Sequence, residues 1–153
     1  RYLRRRSKTA PCIMKPKLCH AGRTLREQVD DAYPDRSRIS DGWLGDARHS
    51  SRTSQHNPDS DGWVRAIDIS SGLRPNSDEM SYLANQLRVA AWKDKRIKYI
   101  IFNKKIASAK SLWRWRPYKG ISPHTHHMHV SFNPSGDEDG RRFDVPMLGG
   151  KGE

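Results

Sequence analysis

The sequence predicts an α+β domain in which a small, mainly antiparallel sheet is flanked by helices. Two segments have the apolar spacing of helices, and three short segments rich in Val, Ile and Phe have the pattern of strands. Helices and strands do not alternate in a βαβ rhythm, which favours antiparallel pairing. The 153 residues suffice for one domain and hardly for two.

Composition excludes two broad classes of protein. No stretch approaches the roughly 20 apolar residues that a membrane-spanning helix needs. Five Trp, five Tyr and several Val and Ile runs exclude a fully disordered chain. The net charge of +12 indicates an acidic partner, and nucleic acid, an anionic cell-wall polymer and a membrane surface are the candidates.

The two ends of the chain differ from its middle. Nine Lys or Arg residues and no acid lie between Arg1 and Arg26, and we interpret residues 1–22 as a basic, extended arm. Residues 23–148 form the main domain, and residues 149–153 are a flexible end or linker. Cys12 and Cys19 either close a small loop or are free thiols.

A first helix is predicted over residues 24–33. Thr24 suits its N-cap, and Leu25 and Val29 stand at i and i+4 on its apolar side. Residues 35–61 are polar and rich in Ser, Asp and Gly, which is typical of a loop. A loop of this length in a small domain indicates a functional role.

A strand and a second helix are predicted next. Residues 63–69 have the composition of a strand. Asn76 begins the helix, and Glu79 completes a capping box with it. The apolar residues that follow at helical spacing are Met80, Leu83, Ala84, Leu87 and Ala91.

Three further segments complete the predicted sheet. Residues 97–102 form a strand, and residues 105–108 pair with it across the Asn103–Lys104 turn. Residues 113–118 form an irregular or edge segment, and residues 127–132 form the last strand.

Four histidines fall within six residues near the end of the chain. Side chains alternate between the faces of a strand, so His127 and His129 share one face while Met128 and Val130 enter the core. Two imidazoles on one strand face suit a shared metal ion. The four histidines are His124, His126, His127 and His129.

Asp68 is the second notable residue on a predicted strand. It shares a face with Ala66, opposite Ile67 and Ile69. A carboxylate on a half-buried strand is costly unless it is paired or bound to metal. One explanation is a zinc site, because zinc accepts His and Asp ligands and leaves a position for water. The other explanation is a salt bridge between Asp68 and an arginine.

Three short motifs together resemble a known family. Ser54-x-His56, Ala66-x-Asp68 and His127-x-His129 are similar to the motifs of the lysostaphin, D-Ala-D-Ala metallopeptidase and hedgehog group of zinc peptidases. The likeness is greatest to the D-Ala-D-Ala carboxypeptidase-type cell-wall peptidases of actinobacteria and phage lysins, and it covers residues 25–132.

The resemblance implies one Zn²⁺ per chain, held by His56, Asp68 and His129. It implies a catalytic role for His127 as the general base. Relatives often carry a carboxylate where this chain has His126, so His126 is the other candidate base.

The resemblance also implies a substrate and a place of action. Arg52 and Ser54 would bind the substrate, Arg52 through a carboxylate. The expected activity is zinc-dependent hydrolysis of an amide bond in a peptidoglycan stem or cross-link peptide, at the bacterial cell wall. The basic surface would attract anionic cell-wall polymer.

Two other functions compete with this interpretation. A metal-dependent nuclease or nucleic-acid-binding module would use the +12 charge and stack bases on Trp113 and Trp115, which alternate with Arg114 and Arg116. It leaves the Ser54-x-His56 and Asp68 motifs unexplained, so nucleic acid is the less favoured partner. A zinc-binding domain without catalytic activity is the third alternative.

Overall fold

A five-stranded antiparallel sheet, made of five of the seven strands that the structure describes, forms the centre of the fold. The computed structural model describes residues 15–43, 58–120 and 124–151. In chain order its elements are β1 (Lys17–Leu18), α1 (His20–Ala32), β2 (Trp63–Val64), β3 (Ala66–Ser70), α2 (Glu79–Ala90), β4 (Ile97–Phe102), β5 (Lys105–Ser108), β6 (Arg116–Pro117) and β7 (His127–Phe132). The strand order of the five-stranded sheet is β3-β7-β4-β5-β6. The predicted α+β class and antiparallel sheet are confirmed.

Helix α1 begins earlier than predicted. Its N-cap is Cys19, whose Sγ accepts a hydrogen bond from the Gly22 backbone N–H at 3.4 Å. Thr24 is not the cap, because its hydroxyl donates to the Gly140 carbonyl at 2.8 Å and ties the C-terminal segment to the helix. The prediction of an extended arm over residues 1–22 is therefore wrong for residues 20–22, which are helical, whereas Lys17 and Leu18 are extended in β1. Residues 1–14 lie outside the described part.

The strand predicted over residues 63–69 is two strands in different sheets. β2 pairs with β1 in parallel, whereas β3 joins the five-stranded sheet. Arg65 stands between them, and its Nη2 forms ion pairs of 2.7 Å with Asp59 and Asp137. These contacts hold the backbone at the point where the chain passes from one sheet to the other.

Helix α2 has the predicted buried face but not the predicted cap. The predicted apolar residues are buried. Asn76 has a φ of 55°, in the left-handed region, and it is not the N-cap. Glu79 accepts a hydrogen bond from the Tyr33 hydroxyl at 2.7 Å, so its side chain links the two helices instead of completing a capping box.

The predicted hairpin between β4 and β5 is confirmed. Asn103 and Lys104 both have positive φ, of 51° and 67°, as a two-residue hairpin turn of type I′ requires. β6 forms the edge of the sheet, within the segment predicted as irregular or edge.

Both helices contribute to one core on one face of the sheet. Leu25 of α1 and Leu83 of α2 belong to the same buried cluster as the strand residues of that face. These strand residues include Ile67, Ile69, Ile100, Met128 and Val130. The opposite face carries Asp68 and the histidines, so the packing that stabilises the domain also leaves the polar face available. Within the described residues, no helix is both long and apolar enough to cross a membrane.

Cys19 gives the fold a measurable pH dependence. The thiol is free and fully buried, and this burial raises its pKa from 9.0 to about 11. The folded state therefore keeps a proton that the unfolded state releases above pH 9. Stability is full below pH 9 and falls as the pH rises to 11, by about 2–3 kcal/mol for this group.

Between pH 8.5 and pH 11, we expect the free energy of unfolding of wild type to fall by about 2–3 kcal/mol more than that of a Cys19→Ala variant. The comparison removes the contribution of Lys and Tyr residues, which both proteins share. Parallel pH profiles for the two proteins would contradict the buried-thiol explanation.

Candidate metal centre

The pairing of β3 with β7 brings an aspartate and two histidines to one face of the sheet. Asp68 lies opposite His129, and Ser70 lies opposite His127. Directly opposed residues of antiparallel strands point to the same side. Met128 and Val130 are fully buried on the other side, so the predicted alternation along β7 is confirmed.

Three partly exposed side chains lie close enough together to bind a metal ion. The ligand atoms of Asp68, His124 and His127 are all within 4.8 Å of one another. His127 Nε2 is 3.7 Å from Asp68 Oδ1, and the ring of His124 meets that of His127 edge-on at 4.8 Å. A carboxylate with imidazoles is a donor set that zinc and other transition metals accept.

His129 is buried beside this cluster and is held at both ring nitrogens. Its Nδ1 is 3.1 Å from Asp68 Oδ1, and its Nε2 is 2.7 Å from the Ser131 hydroxyl oxygen. Donor atoms of a tetrahedral zinc site, with bonds of about 2.0–2.1 Å, lie roughly 3.3 Å apart. The Nδ1–Oδ1 separation is that of a direct hydrogen bond, and it is also close to the separation of two ligands of one ion. Ser131 contacts the second ring nitrogen, where a metal-binding histidine usually has a hydrogen-bond partner.

Tyr99 forms the wall of the site on β4. Its ring stacks on His129 with centroids 5.6 Å apart and planes 14° from parallel. Burial raises the pKa of the Tyr99 phenol above its usual value, and a hydrogen bond with Ser131 acts in the opposite direction. A series of polar contacts therefore leads from Tyr99 through Ser131 and His129 to Asp68.

The backbone of Asp68 is fixed from outside the sheet. Its N–H donates to the Gly42 carbonyl at 2.7 Å, and its carbonyl accepts from the Gly42 N–H at 3.1 Å. The neighbouring Asp41 accepts from the Ser70 N–H at 2.8 Å and from the buried Arg36 guanidinium. Arg36 also bonds to Asp30, so a buried cation anchors the segment that flanks the site.

His124 is the site residue that sequence reasoning left without a role. It precedes β7, where alternation between strand faces does not apply, and its φ of 56° turns the chain back towards the sheet. Its carbonyl accepts from the Asn103 N–H at 2.8 Å. Proximity in sequence to His127 was the available signal, and it did not specify this turn.

The remaining predicted site residues fall into two groups. His56, Arg52 and Ser54 lie outside the described residues, so their roles stay predictions. His126 is exposed, and its backbone carbonyl accepts a hydrogen bond from the Ser71 N–H at 2.9 Å. It is not one of the three residues, Asp68, His124 and His127, whose ligand atoms lie close enough together to bind an ion.

The structure also bears on the predicted stacking of bases on Trp113 and Trp115. Trp113 is 3% exposed and belongs to the core, so its ring is not available to a base. Trp115 is partly buried and packs against the same core.

Comparison with family models, with curated proteins and with solved structures finds no match to this chain.

Substitutions of single histidines should distinguish the ligands from their neighbours. We expect His129→Ala to weaken Zn²⁺ binding at least tenfold in a competition titration with a chromogenic chelator, because a direct ligand is lost. His124→Ala should weaken it less, because His124 is partly exposed, whereas His129 is buried and oriented by Ser131. Loss of affinity in His124→Ala and not in His129→Ala would instead assign the ion to Asp68, His124 and His127.

The Arg36 anchor should contribute to stability. Arg36→Met leaves Asp30 and Asp41 without their shared buried cation, and we expect it to lower the free energy of unfolding by about 2–3 kcal/mol in urea titrations. Arg38→Met is the matched control, since Arg38 is exposed and its ion pair with Asp30 is worth less than about 1 kcal/mol. Equal losses for the two variants would contradict the anchoring role.

Proposed function

We propose that the protein is a zinc-dependent peptidase that hydrolyses an amide bond in peptidoglycan stem or cross-link peptides. The observation that carries the proposal is the placement of Asp68 Oδ1 between imidazoles of β7, 3.1 Å from His129 Nδ1 and 3.7 Å from His127 Nε2. The resemblance to cell-wall peptidases supplies the reaction and the substrate.

Asp68 and His129 would hold the ion, with His56 as the third ligand that the resemblance implies. A zinc ion held there would supply Lewis-acid polarisation of the scissile carbonyl and would lower the pKa of a bound water to about 7. Ser131 orients His129 through Nε2, and Tyr99 limits the rotation of its ring by stacking. Gly42 fixes the backbone of Asp68, so both ligands are positioned before substrate arrives.

His127 suits the transfer of the proton. Its side chain is 21% exposed, so one edge faces Asp68 and the other is open to a bound peptide. Nε2 would accept a proton from the attacking water and return it to the leaving amine. His124 packs against His127 and limits the movement of its ring.

The two candidate bases give opposite predictions. We expect His127→Ala to lower the rate of hydrolysis by about 10²–10⁴-fold, the usual contribution of a general base. His126→Ala should retain most of the activity, because the exposed His126 is not part of the cluster. The measurement is the release of free amino groups from purified actinobacterial peptidoglycan, with zinc and with a chelator.

A reversed order of the two variants would transfer the role of base to His126. Absence of zinc-dependent release, together with metal-dependent cleavage of single-stranded DNA, would replace the peptidase with the nuclease alternative. Zinc binding with neither activity would leave a binding domain.

A further inference from the structure

A groove of about 400 Å³ lies beside the candidate metal site, over strands β4 to β6. Tyr99, whose ring stacks on His129, forms part of it together with Ile106. No Asp or Glu lines the groove, in a chain with 17 of them. Its charged residues are the four cations Lys95, Lys98, Lys110 and Arg116.

The sheet register connects this groove with the metal cluster. Arg116 lies opposite Ile106, which lies opposite Ile101, and Ile101 lies opposite His129. His129 in turn lies opposite Asp68, so one row of side chains crosses all five strands on one face. With strands about 4.8 Å apart, the Cα atoms at the two ends of the row lie about 19 Å apart.

Arg116 has spare capacity to bind an anion. Its Nη2 donates to the Ser108 hydroxyl at 3.2 Å, and among the described residues it forms no ion pair with a carboxylate. By contrast, Arg36 and Arg65 are each bound to two aspartates. A guanidinium has five N–H donors, so most of those of Arg116 face the groove or solvent.

We propose that this groove binds a carboxylate of the substrate peptide, with Arg116 as its principal ligand. The inference rests on the proposed peptidase function. Ser108, which holds the guanidinium, is three strands away from Asp68 and two residues along the strand direction, or about 16 Å. The substrate is then an acidic peptide with a free carboxylate a few residues from the cleaved bond.

The apolar lining of the groove favours a peptide over a phosphate polymer. Arg presents a planar pair of donors that matches a carboxylate or a phosphate, so its apolar neighbours decide between them. Tyr99 and Ile106 offer an apolar surface to the aliphatic part of a side chain. Lys98 and Lys110 add long-range attraction at the rim, which selects for charge but not for geometry.

The test measures binding by calorimetry in a His127→Ala background with zinc, so that cleavage does not interfere. One probe is a peptidoglycan stem peptide with free Glu and diaminopimelate carboxylates, and the other is the same peptide with those carboxylates amidated. We expect Arg116→Gln to weaken binding of the acidic peptide at least tenfold, because a charge-assisted hydrogen bond is lost, and to leave the amidated peptide unchanged.

Arg114→Gln is the matched control, because Arg114 is an exposed cation two residues away that does not line the groove. It should change neither affinity by more than about twofold. The proposal would be overturned by equal effects of the two variants, by equal affinity for the two peptides, or by no binding of either peptide. It would also be overturned if Arg116→Gln weakened binding of an oligothymidylate and not of the acidic peptide.

The outcomes separate this proposal from the peptidase function. Arg116-dependent binding without hydrolysis by the wild-type chain would support the groove and remove the peptidase. Hydrolysis by the wild-type chain that is indifferent to amidation and to Arg116 would support the peptidase and remove the groove.

Discussion

The antiparallel pairing of β3 with β7 is the constraint on which the candidate site depends. It sets Asp68 opposite His129 and, on the other face, Ile69 opposite Met128. A slip of one residue in this register would turn the apolar side chains out of the core and the carboxylate into it. Ile69 and Met128 are fully buried, so the free energy of core packing also holds Asp68 and His129 together. The candidate site and the core therefore depend on the same register.

The parts of the site that follow a period of two were predictable from the sequence. Alternation along residues 127–132 placed His127 and His129 on one face, and the same rule placed Asp68 opposite Ile67 and Ile69. The position of His124 was not predictable, because it depends on a left-handed turn before the strand. The Arg36–Asp41 anchor was also missed, since it joins a helix end to a loop by contacts that no local pattern encodes.

The fold likewise has parts that follow from local sequence patterns and parts that depend on tertiary contacts. Helix α2 and the β4–β5 hairpin follow from apolar spacing and turn residues. The caps were misassigned because Thr24 and Glu79 have tertiary partners that outcompete local capping. The division of residues 63–69 into two strands depends on Arg65, whose two aspartate partners are distant in sequence or lie in a loop. Local preferences specify the elements, and hydrogen bonds and ion pairs between elements decide where they end.

The distribution of charge follows from these buried networks. Arg36, Arg65 and Arg96 are each paired with two aspartates, so six of the 17 acidic residues belong to these networks. The excess cations that give the chain its +12 charge are left for the surface, four of them around the groove beside the candidate metal site.

The most direct test of the site is the metal content of wild type and Asp68→Ala, purified without chelator and measured by elemental mass spectrometry. We predict about one zinc per wild-type chain and loss of the ion in the variant. Absence of stoichiometric zinc after it is added back, or equal zinc in both proteins, would contradict a metal centre at Asp68.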